Sequence, residues 1–241
     1  MKIDLNCDMG EGIGNDADIM PFITSANIAC GFHAGDPLTM QATIRLARRY
    51  GVAIGAHPGW NDAEGFGRRE MTVPPEEVEA LILYQVGALA AIAKAEGVAL
   101  HHVKPHGALY NQAAKDRELA YAIARAVKRV GGDLVLVGLA GSGLVEAGGG
   151  VGLRVANEGF PDRNYNPDGT LVSRTLPNAI IESPEEVAAH AVELARNGID
   201  FGGRRVRVET LCLHGDHPRA AENAKKVHEA LKKNGFEIAA L

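Results

Sequence analysis

Hydrophobic positions along the chain fall into two alternating rhythms. Five stretches carry apolar residues at helical spacing: 37–51, 74–97, 116–132, 183–198 and 217–235. Each opens on a cap or a proline and closes on glycine, the usual punctuation of a helix. Between them lie short apolar runs: KIDLN, ANIAC, VAIGA, LHHVK, DLVLVG, LRVAN, VETLCL and FEIAA. Strands alternating with helices predict an α/β fold with a parallel sheet. About seven or eight such units with no break in composition point to one closed β/α barrel of about seven strands, a single domain over 1–241.

A strand's side chains alternate between faces. Along DLNCDMGEG (4–12), Asp4, Asn6 and Asp8 share one face, while Leu5 and Cys7 share the other with Ile3. The rhythm recurs. Asn27, Ala29, Gly31 and His33 align; so do Ala53, Gly55 and His57; His102, Lys104 and His106; Arg154, Ala156 and Glu158; and Thr210, Cys212, His214 and Asp216. One face is aliphatic and suited to packing under helices. The other is small or polar and ends in an ionisable residue. A solvated edge strand would explain the first segment alone, but not five others. In a parallel barrel the C-terminal strand ends carry the chemistry. The expected site therefore gathers His33, His57, His106 and His214 with Asp8, Lys104 and Asp216 in one cavity, above Asn6. Burying so many ionisable groups is costly unless they pair or bind something.

Two connections, 58–73 and 158–178, are too long to be simple links and read as substrate-facing loops. They hold Trp60, Tyr165 and the arginines Arg68, Arg69, Arg163 and Arg174.

Composition narrows the class. The chain has 241 residues, 46% of them hydrophobic, enough for a substantial core. A net charge of −5 without a basic stripe argues against nucleic acid. No apolar run is expected to span a membrane, no secretory leader is evident, and the cytoplasm is the default. Cys7, Cys30 and Cys212 are too few and too scattered for a disulfide framework and read as buried hydrophobes. P-loop, dinucleotide-fold, zincin and nucleophile-elbow motifs are absent. Asp8 with two histidines leaves a divalent metal open, though no metal ligand is assigned.

The blocks DLNCDMGEG, ANIACGFHAGDP, IGAHPGWND, GFGRR, VKPHGALYN, NYNPDGTLVSR and LCLHGD, in this order, resemble the LamB/YcsF family, the A subunits of prokaryotic 5-oxoprolinases. The resemblance implies a seven-stranded barrel of the glycoside hydrolase/deacetylase kind. It also implies ATP-dependent opening of 5-oxo-L-proline to L-glutamate, shared with B and C subunits that would handle ATP. Its blocks point to Asp8, Glu11, His33, Asp36, His57, Lys104, His106, His214 and Asp216. For such a reaction Asp8 or His57 is the expected base. Lys104 and His106 are the expected charge stabilisers, and His214, oriented by Asp216, the expected acid. Arg68 or Arg163 is the expected carboxylate clamp, with Asn6, Glu11, Asp36 and Glu158 as further substrate contacts. Two other readings stay open: a stand-alone metal-dependent deacetylase or amidohydrolase, and a non-catalytic subunit that binds substrate or scaffolds its partners.

Overall fold

In the computed structural model, which describes residues 1–201 and 203–241, seven parallel strands close into a barrel. They are β1 (Lys2–Met9), β2 (Ser25–Ala29), β3 (Ala53–His57), β4 (His102–Val103), β5 (Val135–Leu139), β6 (Arg154–Gly159) and, after a hairpin of β7 (Ile199–Phe201) and β8 (Arg204–Val206), β9 (Thr210–Leu213). The pairing of β9 with both β6 and β1 closes the ring. The terminal run FEIAA supplies β10 (Glu237–Ile238), which pairs with the start of β1 outside the ring.

The five expected helices are present. They are α2 (Pro37–Tyr50), α3 (Pro75–Ala95), α5 (Arg117–Val130), α7 (Pro184–Asn197) and α8 (Ala220–Lys233). Three short ones add to them: α1 (Asp16–Ile19), α4 (Gly107–Ala113) and α6 (Gly143–Gly150). Asp36 caps α2 by accepting from the Thr39 amide, and Ser183 caps α7 in the same way. Helix α3 corrects one expectation: by length and composition it is apolar enough to cross a membrane. Here its stripe of Val78, Ile82, Val86, Leu89 and Ala93 is buried, and the helix packs against α5 and β3.

The main core lies between strands and helices, not inside the ring. Ile3, Leu5, Cys7 and Met9 of β1 join Ile28, Ile54, Val103, Leu136 and Leu211 in one cluster with the helices. The interior is divided. On the β5–β6 side it is apolar, with Val135, Val137 and Ala156 forming a separate small cluster against Leu241. On the β1–β2–β9 side it is polar and fully bonded. Asp4 accepts from Thr24, Ser25 and Thr210, and Asn6 joins Asn27, Thr210 and Glu158. Alternation along β1 thus builds an interior surface, as expected, while β5, which shows no such alternation in the sequence, lines the ring with valines.

His102 crosses this interior to Asn27 at 2.8 Å. It has room because Gly55, its register partner on β3, lacks a side chain: a Cβ there would stand 2.1 Å from His102 Nε2. Gly55→Ala is therefore expected to destabilise the barrel by about 1–3 kcal/mol, the usual scale for overpacking. Chemical denaturation of the variant checks this; an unchanged midpoint would show that His102 can leave its place at no cost.

Candidate active site

The C-terminal ends of β1, β2, β3, β4, β6 and β9 meet around a buried ammonium. Lys104, 3% exposed, places Nζ 2.9 Å from Asp8 Oδ1, 3.2 Å from Glu158 Oε1 and 2.8 Å from Cys212 Sγ. Burial alone would strip its proton, but Asp8 and Glu158 more than offset that and hold its pKa well above the ordinary value. Burial likewise works against the Asp8 carboxylate, and its neighbours His57 and Lys104 overcome it, so its pKa lies well below the ordinary range. Asp8 Oδ1 also accepts from Asn27 at 2.9 Å, while Oδ2 faces His57 Nε2 at 3.4 Å. Burial and the Asp8 charge push Cys212 far up, leaving a neutral thiol.

Beside this pair stands a cluster of three imidazoles and one carboxylate. His57 Nδ1 donates to the Lys104 carbonyl at 2.7 Å, and His106 Nε2 donates to the Phe66 carbonyl at 2.8 Å. The inner nitrogens, His57 Nε2 and His106 Nδ1, lie 2.9 Å apart. His33 stacks flat on His106, with ring centres 3.8 Å apart. Glu11 Oε1 reaches to 3.4 Å from His33 Nε2, 3.3 Å from His106 Nδ1 and 3.9 Å from His57 Nε2. Burial, then the neighbouring His57, drives His33 down to about 3. Burial and its histidine neighbours also push His106 well down, and burial and Asp8 push Glu11 well up.

The 58–73 loop closes over this cluster. Phe66 and Gly67 take left-handed backbone conformations (φ 55° and 65°), which turn the Phe66 carbonyl onto His106. A Cβ on Gly67 would come 2.8 Å from His33 Cβ and 2.9 Å from His106 Cδ2, so glycine alone fits there.

On the opposite wall His214 stacks on Phe160 and is held by Asp162, which accepts from His214 Nδ1 at 2.8 Å and from its amide at 3.2 Å. Between the walls opens a cleft of about 500 Å³ lined by Asp8, His57, Lys104, Tyr110, Arg68, Arg174 and His214.

The structure thus brings together Asp8, Glu11, His33, His57, Lys104, His106 and His214. Of the four histidines expected in one cavity, His57 and His214 line the cleft, whereas His33 and His106 lie behind His57 under the loop. Several placements differ from expectation. Asp216 does not orient His214; it bonds Arg68 and lies 3.6 Å from Arg174, and Asp162 takes its expected place. Asp36 is an exposed helix cap, away from the cleft. Arg163 lines the cleft but gives its guanidinium to the carbonyls of Ala179 and Val172, so it fastens the 158–178 loop rather than clamping a ligand. Asn6 and Glu158 lie below the cleft: Glu158, 0% exposed, is held by Asn6 at 2.9 Å and Tyr110 at 2.7 Å and supports Lys104. Asp162 and Tyr110 escape sequence reasoning because they lie past the strand ends, where alternation no longer applies, whereas Arg174, expected only as part of a substrate-facing loop, lines the cleft.

Known proteins share this architecture. A protein of Symbiobacterium thermophilum, named as the A subunit of 5-oxoprolinase, is 53% identical, over 99% of this chain and 95% of its own. The crystal structure of a lactam utilization protein from Thermus thermophilus superposes with a TM-score of 0.92 at 48% identity, covering 100% of both chains. A peptidoglycan deacetylase from Bacillus subtilis shares the fold alone, with a TM-score of 0.52 at 13% identity, covering 99% of this chain and 86% of its own. Residues 3–241 match the LamB/YcsF family as a whole, and the chain, with its seven-stranded barrel and the blocks that build the cleft, belongs to that family.

Proposed function

We propose that this chain is the A subunit of an ATP-dependent 5-oxoprolinase, which opens the ring of 5-oxo-L-proline to L-glutamate together with B and C subunits. The observation that carries this reading is a buried ammonium, Lys104, at the floor of a cleft that also holds Asp8 and His214, in a chain matching proteins of that name over its length.

A lactam resists water because its nitrogen lone pair is delocalised into the carbonyl. Phosphorylation of the amide oxygen makes the ring carbon electrophilic, and with no P-loop in this chain that step falls to the partners. Water then adds to the carbon, the C–N bond breaks as the nitrogen takes a proton, and loss of phosphate to a second water leaves glutamate. Asp8 Oδ2, the oxygen not bonded to Lys104 and Asn27, is placed to accept the proton of the attacking water. One of the three acceptors around Lys104 is the Cys212 thiol, a weak one, and a developing oxyanion can replace it. His214, aligned by Asp162, is the proton donor for the nitrogen. Arg68 and Arg174 are the guanidiniums placed at the mouth to meet the substrate carboxylate.

Assay of the purified chain with and without the partner subunits tests the reading. The chain alone should hydrolyse no ATP, and the complex should convert 5-oxoproline to glutamate. In that complex Lys104→Met should lose at least ~100-fold in activity, the scale for one electrostatic stabiliser, and should also destabilise the fold by about 3–5 kcal/mol, because Asp8 and Glu158 are left buried without their cation. Retained activity with a large fall in melting temperature would make Lys104 a purely structural ion pair.

The Asp162–His214 pair has a measurable pH signature. Burial raises the Asp162 carboxyl, but the His214 charge and hydrogen bonds prevail and bring it down to about 2, against an ordinary 3.8. A depressed carboxylate stabilises the fold above its unfolded pKa and loses that contribution as pH falls through the folded one. At neutral pH the contribution is about 2 kcal/mol. Asp162→Asn should be less stable by roughly that amount at pH 7, and the gap should narrow between pH 4 and pH 2 in denaturation curves.

A further inference from the structure

The imidazole cluster has a surplus of lone pairs. A carbonyl can only accept, so the hydrogen bonds to Lys104 O and Phe66 O place the ring protons on His57 Nδ1 and His106 Nε2. In the neutral rings the inner nitrogens, 2.9 Å apart, then face each other as two acceptors. Glu11 Oε1 and His33 Nε2 point into the same space, and both are buried without a hydrogen-bond partner among the described residues. Asp8 Oδ2 adds a further acceptor 3.4 Å from His57 Nε2. Lys104 is committed to Asp8 Oδ1, Glu158 and Cys212 on the other side. Buried acceptors that converge without a donor repel one another, and such groups are normally satisfied.

We infer that Glu11, His33, His57 and His106 form a binding site for one divalent transition-metal ion. Their ligand atoms all lie within 4.8 Å of one another. Neighbouring separations of 2.9, 3.3, 3.4 and 3.9 Å bracket the ~3.4 Å edge of a tetrahedron with bonds of about 2.1 Å. The outer nitrogens of His57 and His106 donate to backbone carbonyls, the arrangement that fixes the tautomer of a metal-ligating histidine. Three imidazoles and one carboxylate suit zinc, cobalt or nickel and disfavour magnesium and calcium, which take oxygen ligands. No cysteine joins the set: Cys30 Sγ turns to the Ile28 carbonyl and Cys212 to Lys104. The 58–73 loop lies over the site, with Gly67 against both His33 and His106, and shields it from solvent. The inference does not depend on the ring-opening reading, since it concerns binding alone.

Protons shared among Glu11 and the imidazoles are the competing solution, and metal uptake separates the two. Protein stripped with a chelator is titrated with zinc by calorimetry and then measured for bound metal. The expected result is one zinc per chain, a raised melting temperature, and visible absorption bands when cobalt replaces zinc. His106→Ala and Glu11→Gln should each weaken zinc by at least about 100-fold, beyond the usual effect of losing an outer partner. His228→Ala, on helix α8 with its ring bonded to the Phe22 carbonyl, should leave binding unchanged. Wild-type protein that takes up neither zinc nor cobalt would overturn the inference whether or not the variants fold, as would binding that persists undiminished in both.

Discussion

The ammonium of Lys104 is the point on which the interior of this barrel turns. Removing such a charge from water costs several kcal/mol, and only close opposite charges with well-aligned hydrogen bonds offset it. Asp8 and Glu158 provide those charges from β1 and β6, so one ion-pair network ties three strands that are far apart in sequence. The carboxylates need support in turn: Asn27 holds Asp8, and Asn6 and Tyr110 hold Glu158. Asp4 with Thr210 and Ser25 extends the bonded layer toward the barrel floor. A barrel is ordinarily filled by branched aliphatic side chains. Here half the ring is filled that way, by Val135, Val137 and Ala156, and the other half by polar groups that satisfy one another.

This division gives the site its two characters. The β5–β6 side supplies a rigid apolar wall, and Phe160 at its top serves as a platform for both the Lys104 charge and the His214 ring. The β1–β4 side supplies acceptors in excess, crowded beneath the loop that follows β3. A cleft between a cation-rich mouth and an acceptor-rich floor has a fixed electrical direction. In the proposed reading the substrate carboxylate stays with the arginines of the mouth while its lactam end lies toward Lys104.

Much of this is legible in the sequence because strand alternation is local. Asp4, Asn6 and Asp8 lie on the interior face, and His57, Lys104 and His106 follow at strand ends, since each position depends only on its own strand's pleat. The five long helices are equally legible from spacing and caps. Helix α6 is not, being short and rich in glycine, and neither is the β7–β8 hairpin, which builds no part of the ring. Where partners come from loops, local rules fail. His214 and Asp216 sit two residues apart and look like a pair, yet Asp162, 52 positions away, holds the histidine. Asp36 shows the reverse: the family resemblance makes it a substrate contact, but the local capping rule reads it correctly, as the carboxylate that closes a helix end. Arg163 and Arg174 look alike in one loop; the turn that buries the first leaves the second at the cleft.

Asp216 has a further consequence. It holds Arg68 from the loop after β3 and stands beside Arg174 from the loop after β6, while itself following β9. Three separate segments are thereby pinned at a single carboxylate. An incoming carboxylate meets arginines already engaged, so its capture is an exchange of one anion for another rather than an approach to bare positive charge. Exchange of this kind discriminates by fit more than by charge: small anions at cellular concentrations gain little by displacing a tethered carboxylate, whereas a ligand also anchored elsewhere in the cleft would gain the arginines and release the tie among the three segments.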